Sequence, residues 1–142
     1  MPDFSFLEPL SIDGATATMI LDRVVCPGAD APVALQIRHV GTSKRYRAAV
    51  HRLQSKYRKN VEGLEEALLE MDRREYPAQF ITGWSHVREA DGTTVPFSVE
   101  ACRSLIDRLP NHIVNEIRQF CIEPSNFEGV IDVDEALEVG KS

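Results

Sequence analysis

Apolar and aromatic side chains recur at helical spacing between residues 43 and 75, and this run constrains the fold more than any other feature. Successive members lie three or four residues apart, with a mean step of about 3.6 residues, the period of an α-helix. We predict a long amphipathic helix over 43–76, with Ser43 as its N-cap and Pro77 as its end. Gly63 favours a break inside it, so the pattern leaves open one helix or two. The apolar members are Tyr46, Val50, Leu53, Tyr57, Val61, Leu64, Leu68 and Met71.

Charge divides this predicted helix into two halves. Seven basic and no acidic residues fall between Lys44 and Lys59, whereas six acidic and two basic residues fall between Val61 and Glu75. A single helix with this order opposes its own macrodipole, which favours acidic residues first and basic residues last. We interpret the order as serving contact with a partner or a neighbouring copy. The basic half stays open to three interpretations: a solvated face, a site for an acidic protein, or a site for a nucleic-acid backbone.

The charge of the whole chain weakens the nucleic-acid interpretation. Sixteen Lys and Arg against 22 Asp and Glu in 142 residues give a net charge of −6, which is unlike a nucleic-acid coat or a basic membrane binder. No apolar run is long enough to span a bilayer, and the first residues lack the features of a secretory signal. Three widely spaced cysteines exclude a disulfide framework and favour a reducing compartment. We therefore expect a small cytosolic protein.

Short strands are predicted before the helix. Residues 15–25 follow an Asp13-Gly14 turn and are rich in β-branched and apolar residues, and residues 33–40 alternate between the two faces of a half-buried strand. Gly41 ends the second strand. Two such strands predict a small antiparallel β unit over residues 1–42, which needs a partner surface to be stable.

The region after the helix, residues 77–127, is predicted to form a loop and two short helices. An Asp91-Gly92 turn between apolar segments indicates a hairpin-like loop after Trp84. Ser98 is placed to cap the first helix and Asn111 to cap the second. So short a connection predicts an antiparallel or angled helix pair. Trp84 is expected either to anchor the loop on the helices or to serve as a binding hot spot.

The predicted fold class is α+β: a small N-terminal antiparallel β unit, a long central amphipathic helix and a C-terminal pair of short helices. Residues 128–142 form an acidic tail with five acidic residues and one lysine. The predicted core residues are Val33, Leu35, Ile37, Val50, Leu53, Trp84, Phe97, Leu105, Ile106, Leu109, Ile113, Ile117 and Phe120.

No pattern in the sequence indicates catalysis, a cofactor or a metal ion. No nucleophile elbow, phosphate-binding loop, dinucleotide fingerprint or metal-ligand spacing occurs. Cys102 and Cys121 fall on apolar helix faces, which leaves Cys26 as the exposed thiol. Structural or surface roles are expected for the four histidines, His39, His51, His86 and His112.

A series of short motifs follows the central helix. It runs from Gly83-Trp84 through Asp91-Gly92 and Val95-Pro96-Phe97-Ser98 into the helix pair, and it ends at Asn126-Phe127. This order resembles the C-terminal part of the tail assembly chaperones of long-tailed bacteriophages, and the upstream order of β portion, basic helix and acidic helix is similar too. His86 departs from the family pattern, which has glycine or another small residue after the tryptophan.

The resemblance implies a non-enzymatic assembly factor of the host cytoplasm that coats the helical tape-measure protein and helps to recruit tail-tube subunits. The apolar stripe would lie against a client helix, and self-association is expected. Two alternatives stay open: a structural virion protein of the tail or the head–tail connector, and a small nucleic-acid-binding regulator that uses residues 44–59. The candidate partner-binding residues are Tyr46, Val50, Leu53, Tyr57, Leu64, Leu68, Met71 and Trp84.

Overall fold

Three strands and four α-helices make up the part of the chain that the computed structural model describes, residues 2–10, 15–39 and 43–128. The strands are β1 (Thr16–Leu21), β2 (Val33–Arg38) and β3 (Ile81–Ser85). The helices are α1 (Lys44–Lys56), α2 (Val61–Glu75), α3 (Val99–Arg108) and α4 (Asn111–Ile122). A 3₁₀ helix (Ser5–Leu10) precedes the sheet, a π-helical turn (Tyr76–Phe80) links α2 to β3, and a short 3₁₀ turn (Pro124–Asn126) follows α4. These elements confirm the α+β class, while the tail predicted over 128–142 lies beyond the described residues after Glu128.

The sheet is antiparallel and has the strand order β1-β2-β3. The two strands predicted before the helix pair with each other, Leu21 opposite Val33 and Thr16 opposite Arg38. The third strand comes from the segment around Trp84, which lies opposite Leu35. The sequence predicted a loop for this segment. Instead it supplies the partner surface that two isolated strands need.

The core lies on one face of this sheet. The π-helical turn packs on β2 and β3, α4 packs on β1, and α2 packs on α3 and α4. Seven predicted core residues are buried, namely Val33, Leu35, Ile37, Ile106, Leu109, Ile113 and Ile117. The other six are partly buried and pack against them, namely Val50, Leu53, Trp84, Phe97, Leu105 and Phe120.

The helical pattern over 43–76, which left open one helix or two, forms two helices. Helix α1 ends at Lys56, and α2 begins at Val61 with Asn60 as its N-cap, whose side-chain oxygen accepts a hydrogen bond from the Gly63 amide at 3.0 Å. Nη2 of Arg45, at the start of α1, lies 3.3 Å from Oε2 of Glu75, at the end of α2. The two helices therefore form an antiparallel hairpin. The apolar stripe is buried at Tyr46 and Met71, whereas Val61 at the start of α2 is exposed.

The predicted pair of short helices is confirmed, with one change at its junction. Ser98 caps α3 by accepting from the Ala101 amide, as predicted. Asn111 was predicted to cap α4, but it is the first residue of that helix and its side chain makes no cap. Its Oδ1 instead accepts a hydrogen bond from Arg73 of α2 at 2.7 Å.

A hairpin-like loop after Trp84 is also present. The Val95 amide donates to the Val87 carbonyl at 2.9 Å, and Gly92 adopts φ +86° in the turn. His86 adopts φ +64°, the left-handed region that favours glycine. The departure noted at His86 therefore falls at a position where a small residue suits the backbone.

Candidate partner-binding site

The predicted binding stripe forms the inner side of the α1–α2 hairpin. Its two ends, Tyr46 and Met71, are buried in the core. Five members between them are half-buried, namely Val50, Leu53, Tyr57, Leu64 and Leu68, and Val61 is exposed. Much of the stripe therefore holds the hairpin together and is only partly available to a partner.

Three members of the stripe nevertheless meet at an open cleft between α1 and α2. The cleft has a volume of about 330 Å³, with Leu53 and Tyr57 on one wall and Met71 on the other. Ala49 of α1 and Ala67 of α2 also line it, and their side chains are small. Val50, Leu64 and Leu68 do not line this cleft.

Charged side chains border the cleft. Arg52 contributes from α1, and Glu70 and Arg74 contribute from α2. All three are exposed. An apolar floor between charged rims matches the grooves that bind amphipathic helices, in which apolar anchors enter the groove and polar groups pair at its edge.

The charge halves of the predicted helix take up opposite sides of the hairpin. All seven basic residues of 44–59 are exposed. Arg45 pairs with Glu75, and none of the other six has an ion-pair partner among the residues that the structure describes. Helix α2 begins with Glu62 in its first turn and ends with Arg73 and Arg74, an order that suits its own macrodipole.

A buried polar cluster joins the start of α1 and the end of α2 to α4. The Tyr46 hydroxyl donates to Oδ1 of Asp72 at 2.5 Å and lies 3.3 Å from the Tyr76 hydroxyl. Arg118 of α4 donates from Nε to the other oxygen of Asp72. Three helices, α1, α2 and α4, are thereby joined at one fully buried carboxyl group.

Burial governs the electrostatics of this cluster. It raises the pKa of Asp72, and the hydrogen bond from Tyr46 and the charge of Arg118 oppose that shift. Burial also raises the pKa of both tyrosine hydroxyls, and the Asp72 charge adds to that effect. The hydroxyls therefore remain protonated and act as donors rather than as catalytic bases.

Trp84 lies away from the cleft. It is half-buried on β3, its ring makes an edge-on contact with Phe97 at 5.3 Å, and its Nε1 donates to the Val95 carbonyl at 2.9 Å. These contacts fix the loop after β3 onto the start of α3. The structure does not bring Trp84 together with the other candidate residues.

Cysteines and histidines add no chemistry to the cleft. Cys102 and Cys121 are buried, and burial raises the pKa of the Cys102 thiol to about 12. Cys26 is the least buried of the three. Across residues 2–10, 15–39 and 43–128, no group of three or more His, Cys, Asp or Glu side chains is placed to hold a metal ion. None of the described helices is long and apolar enough to cross a membrane.

Sequence reasoning missed two parts of the site. The cleft is also lined by small and charged residues that are not members of the apolar stripe: Ala49, Arg52, Ala67, Glu70 and Arg74. The Asp72–Arg118 contact joins residues 46 positions apart. No pattern of neighbouring residues predicts such a pair. The one sign is that Asp72 follows Met71 of the stripe, because an acidic residue that becomes buried needs a partner.

Compared with known proteins, the chain matches no family model, no curated protein and no solved structure at a significant level.

Proposed function

We propose that this protein is a non-enzymatic tail assembly chaperone of a long-tailed bacteriophage, which acts in the host cytoplasm and binds a helical segment of the tape-measure protein. The proposal starts from the motif order between Gly83 and Phe127. A tail-tube subunit and further copies of the chain are the other proposed partners.

The observation that carries the proposal is the cleft of the α1–α2 hairpin. Leu53, Tyr57 and Met71 offer apolar contact, while Arg52 and Glu70 offer charges of both signs at the rim. A client helix would insert apolar anchors spaced three or four residues apart and would pair its polar face with the rim. Charge at the rim favours one orientation of the client over the other.

The size of the cleft supports a protein client rather than an enclosed substrate. A volume of about 330 Å³ lies at the lower end of the roughly 300–1,000 Å³ of pockets that enclose small molecules. The cleft is also open to solvent along the hairpin. It therefore suits a few side chains of a larger partner.

Co-expression with the tape-measure protein tests this proposal. The wild-type chain is expected to keep the tape-measure protein soluble and to co-purify with it. Ala49→Arg, which fills the cleft, is expected to abolish co-purification. Ala48→Arg introduces the same side chain at the neighbouring exposed position and is the matched control. Equal binding by both variants, each shown to be folded by circular dichroism, would reject the cleft as the client site.

The exposed cations of 44–59 favour a second candidate function, binding to a nucleic-acid backbone. Seven cations without an acidic residue among them supply the electrostatic part of such binding. Fluorescence anisotropy with a labelled duplex and a labelled single strand distinguishes the two functions. A nucleic-acid binder should lose affinity steeply, by orders of magnitude, between 50 and 200 mM salt. No binding at 50 mM salt would exclude this function.

A further inference from the structure

The α1 surface carries a concentrated positive charge that the described fold does not balance. Residues 44–59 contain seven basic and no acidic residues, and all seven are exposed. Only Arg45 has an ion-pair partner within the described part of the chain. Like charges this close repel one another, so an acidic occupant would lower the free energy of this surface.

The chain itself contains a segment of matching chemistry. Residues 129–142 carry four acidic residues and one lysine, a net charge of 1 − 4 = −3. Apolar residues alternate with these acids: Val130, Ile131, Val133, Leu137 and Val139. The segment therefore combines acids for the cations of α1 with apolar side chains for the apolar residues of the cleft.

The fold delivers this segment close to α1. Phe127, the last residue but one of the described part, is buried against His39, with their ring centroids 5.0 Å apart. His39 precedes Lys44 by five positions, which a chain spans in at most about 18 Å. The described part of the chain thus ends beside His39, five positions before α1 begins.

The segment is also long enough. Fourteen residues, 129–142, reach as far as about 46 Å when extended. The thirteen residues of α1 are about 20 Å long. The extended segment is therefore longer than α1 and can run along it.

We propose that residues 129–142 bind in cis along the α1 side of the cleft, with their acidic residues on Arg52 and Lys56 and their apolar residues over Leu53 and Tyr57. The α2 side of the hairpin carries Glu62, Glu65 and Glu66 and repels the segment, which directs it to α1. Any partner of the cleft then has to displace this segment. The contact is within one chain, so it holds or fails independently of the identity of the client.

Amide spectra of the isotopically labelled protein test the contact. We compare the 142-residue chain with a chain that ends at Glu128, both at 50 mM salt. Shift differences are expected to concentrate on residues 44–59 and on the cleft residues of α2, to be largely lost at 500 mM salt, and to remain after tenfold dilution. Differences limited to residues near the truncation, or found on another face, would overturn the proposal. Loss on dilution would assign the contact to neighbouring copies and would overturn it too.

Variants of the full-length chain keep the test independent of truncation. The full-length variant with Asp132→Asn, Asp134→Asn, Glu135→Gln and Glu138→Gln is expected to reproduce the spectrum of the truncated chain over α1. In a chain that also carries Arg52→Glu, neutralising the segment is expected to leave the spectrum of α1 unchanged. Arg103→Glu makes the same charge change on the exposed side of α3 and should leave the effect of neutralisation intact. If Arg52→Glu and Arg103→Glu behave alike, the segment does not bind at the cleft.

Discussion

Asp72 is the single residue on which the attachment of the helical hairpin depends most. Its side chain is fully buried and accepts hydrogen bonds from Tyr46 of α1 and Arg118 of α4. A buried carboxylate is tolerated only when it is paired and hydrogen-bonded, and its removal leaves the partner charge uncompensated. The cluster therefore sets where α1 and α2 sit on α4.

Replacement of Asp72 by alanine is expected to lower the free energy of unfolding by about 3–5 kcal/mol, because Arg118 loses its partner. Urea unfolding followed by circular dichroism measures this loss. Glu70→Ala, an exposed neighbour on the same helix, is the matched control and is expected to change stability by less than about 0.5 kcal/mol. A similar, small effect for both variants would show that the cluster contributes little.

Trp84 presents a different case at this scale, because its ring is only half-buried. Trp84→Ala is expected to cost about 3 kcal/mol, since the edge-on contact with Phe97 and the packing of the loop are lost. Trp84→Phe keeps part of the ring contact and should cost less. Thermal unfolding measures both. An unchanged melting curve for Trp84→Ala would favour the binding hot spot over the anchor.

The division into two helices explains the charge order of α2, whereas Lys44 and Arg45 at the start of α1 still oppose the macrodipole of that helix. With a break after Tyr57, the acidic run from Glu62 lies at the start of a new helix, where its macrodipole favours acids. Arg73 in the last turn of α2 donates to the carbonyls of Ile106 and Leu109 at the end of α3. It thereby satisfies acceptors that a helix terminus leaves free. The boundaries of α2 thus agree with its charge pattern.

Gly63 is where the turn closes onto α2, and its substitution tests that closure. A Cβ atom at this position would lie 2.7 Å from Asn60 Nδ2 and 2.9 Å from Tyr57 Cδ1. Gly63→Ala gains about 1 kcal/mol in helix propensity, but it disturbs an N-cap worth about 1 kcal/mol and shifts the Tyr57 ring at a further 1–3 kcal/mol.

A net loss of about 1 kcal/mol is therefore expected for Gly63→Ala, measured by urea unfolding. Gln54→Ala, an exposed change in the interior of α1, is the control and should be near neutral. A gain in stability for Gly63→Ala would contradict the tight closure at Asn60.

The whole molecule is organised by contacts between distant parts of the chain. Strand β3 completes a sheet whose other two strands precede α1, so the hairpin projects from a sheet that closes only after it. The helices and the π-helical turn bury four groups that lose a proton in alkali, Tyr46, Tyr76, Cys102 and Cys121. Burial raises the pKa of each of them, for Cys102 to about 12.

These raised pKa values predict unfolding by alkali. Because the folded state keeps its protons at a pH where the unfolded chain loses them, the free energy of unfolding falls as pH rises above about 9. In a Tyr57→Phe variant, absorbance at 295 nm reports on Tyr46 and Tyr76. The tyrosinate signal should appear together with the loss of helical circular dichroism. A signal that grows while the helices stay intact would contradict the burial of these hydroxyls.

The sequence by itself determined the class of the fold and most of its elements. The helical period of 46–71, the two-residue period of 33–37, and the caps at Ser43 and Ser98 depend on neighbours a few residues away. For this reason they predicted the helices, β2 and seven of the buried core residues correctly. The apolar stripe could be predicted for the same reason, because its members lie three or four residues apart.

Only the tertiary structure decided how that stripe is used. A period of about 3.6 residues is the same in a straight helix and in a hairpin that turns one face inward, so the break at 57–60 was not determined. The third strand, the cleft between Ala49 and Ala67, and the bond from Arg118 to Asp72 each join residues far apart in the chain. Their partners are chosen by packing and by the cost of burying unpaired charge, which no short stretch of sequence contains.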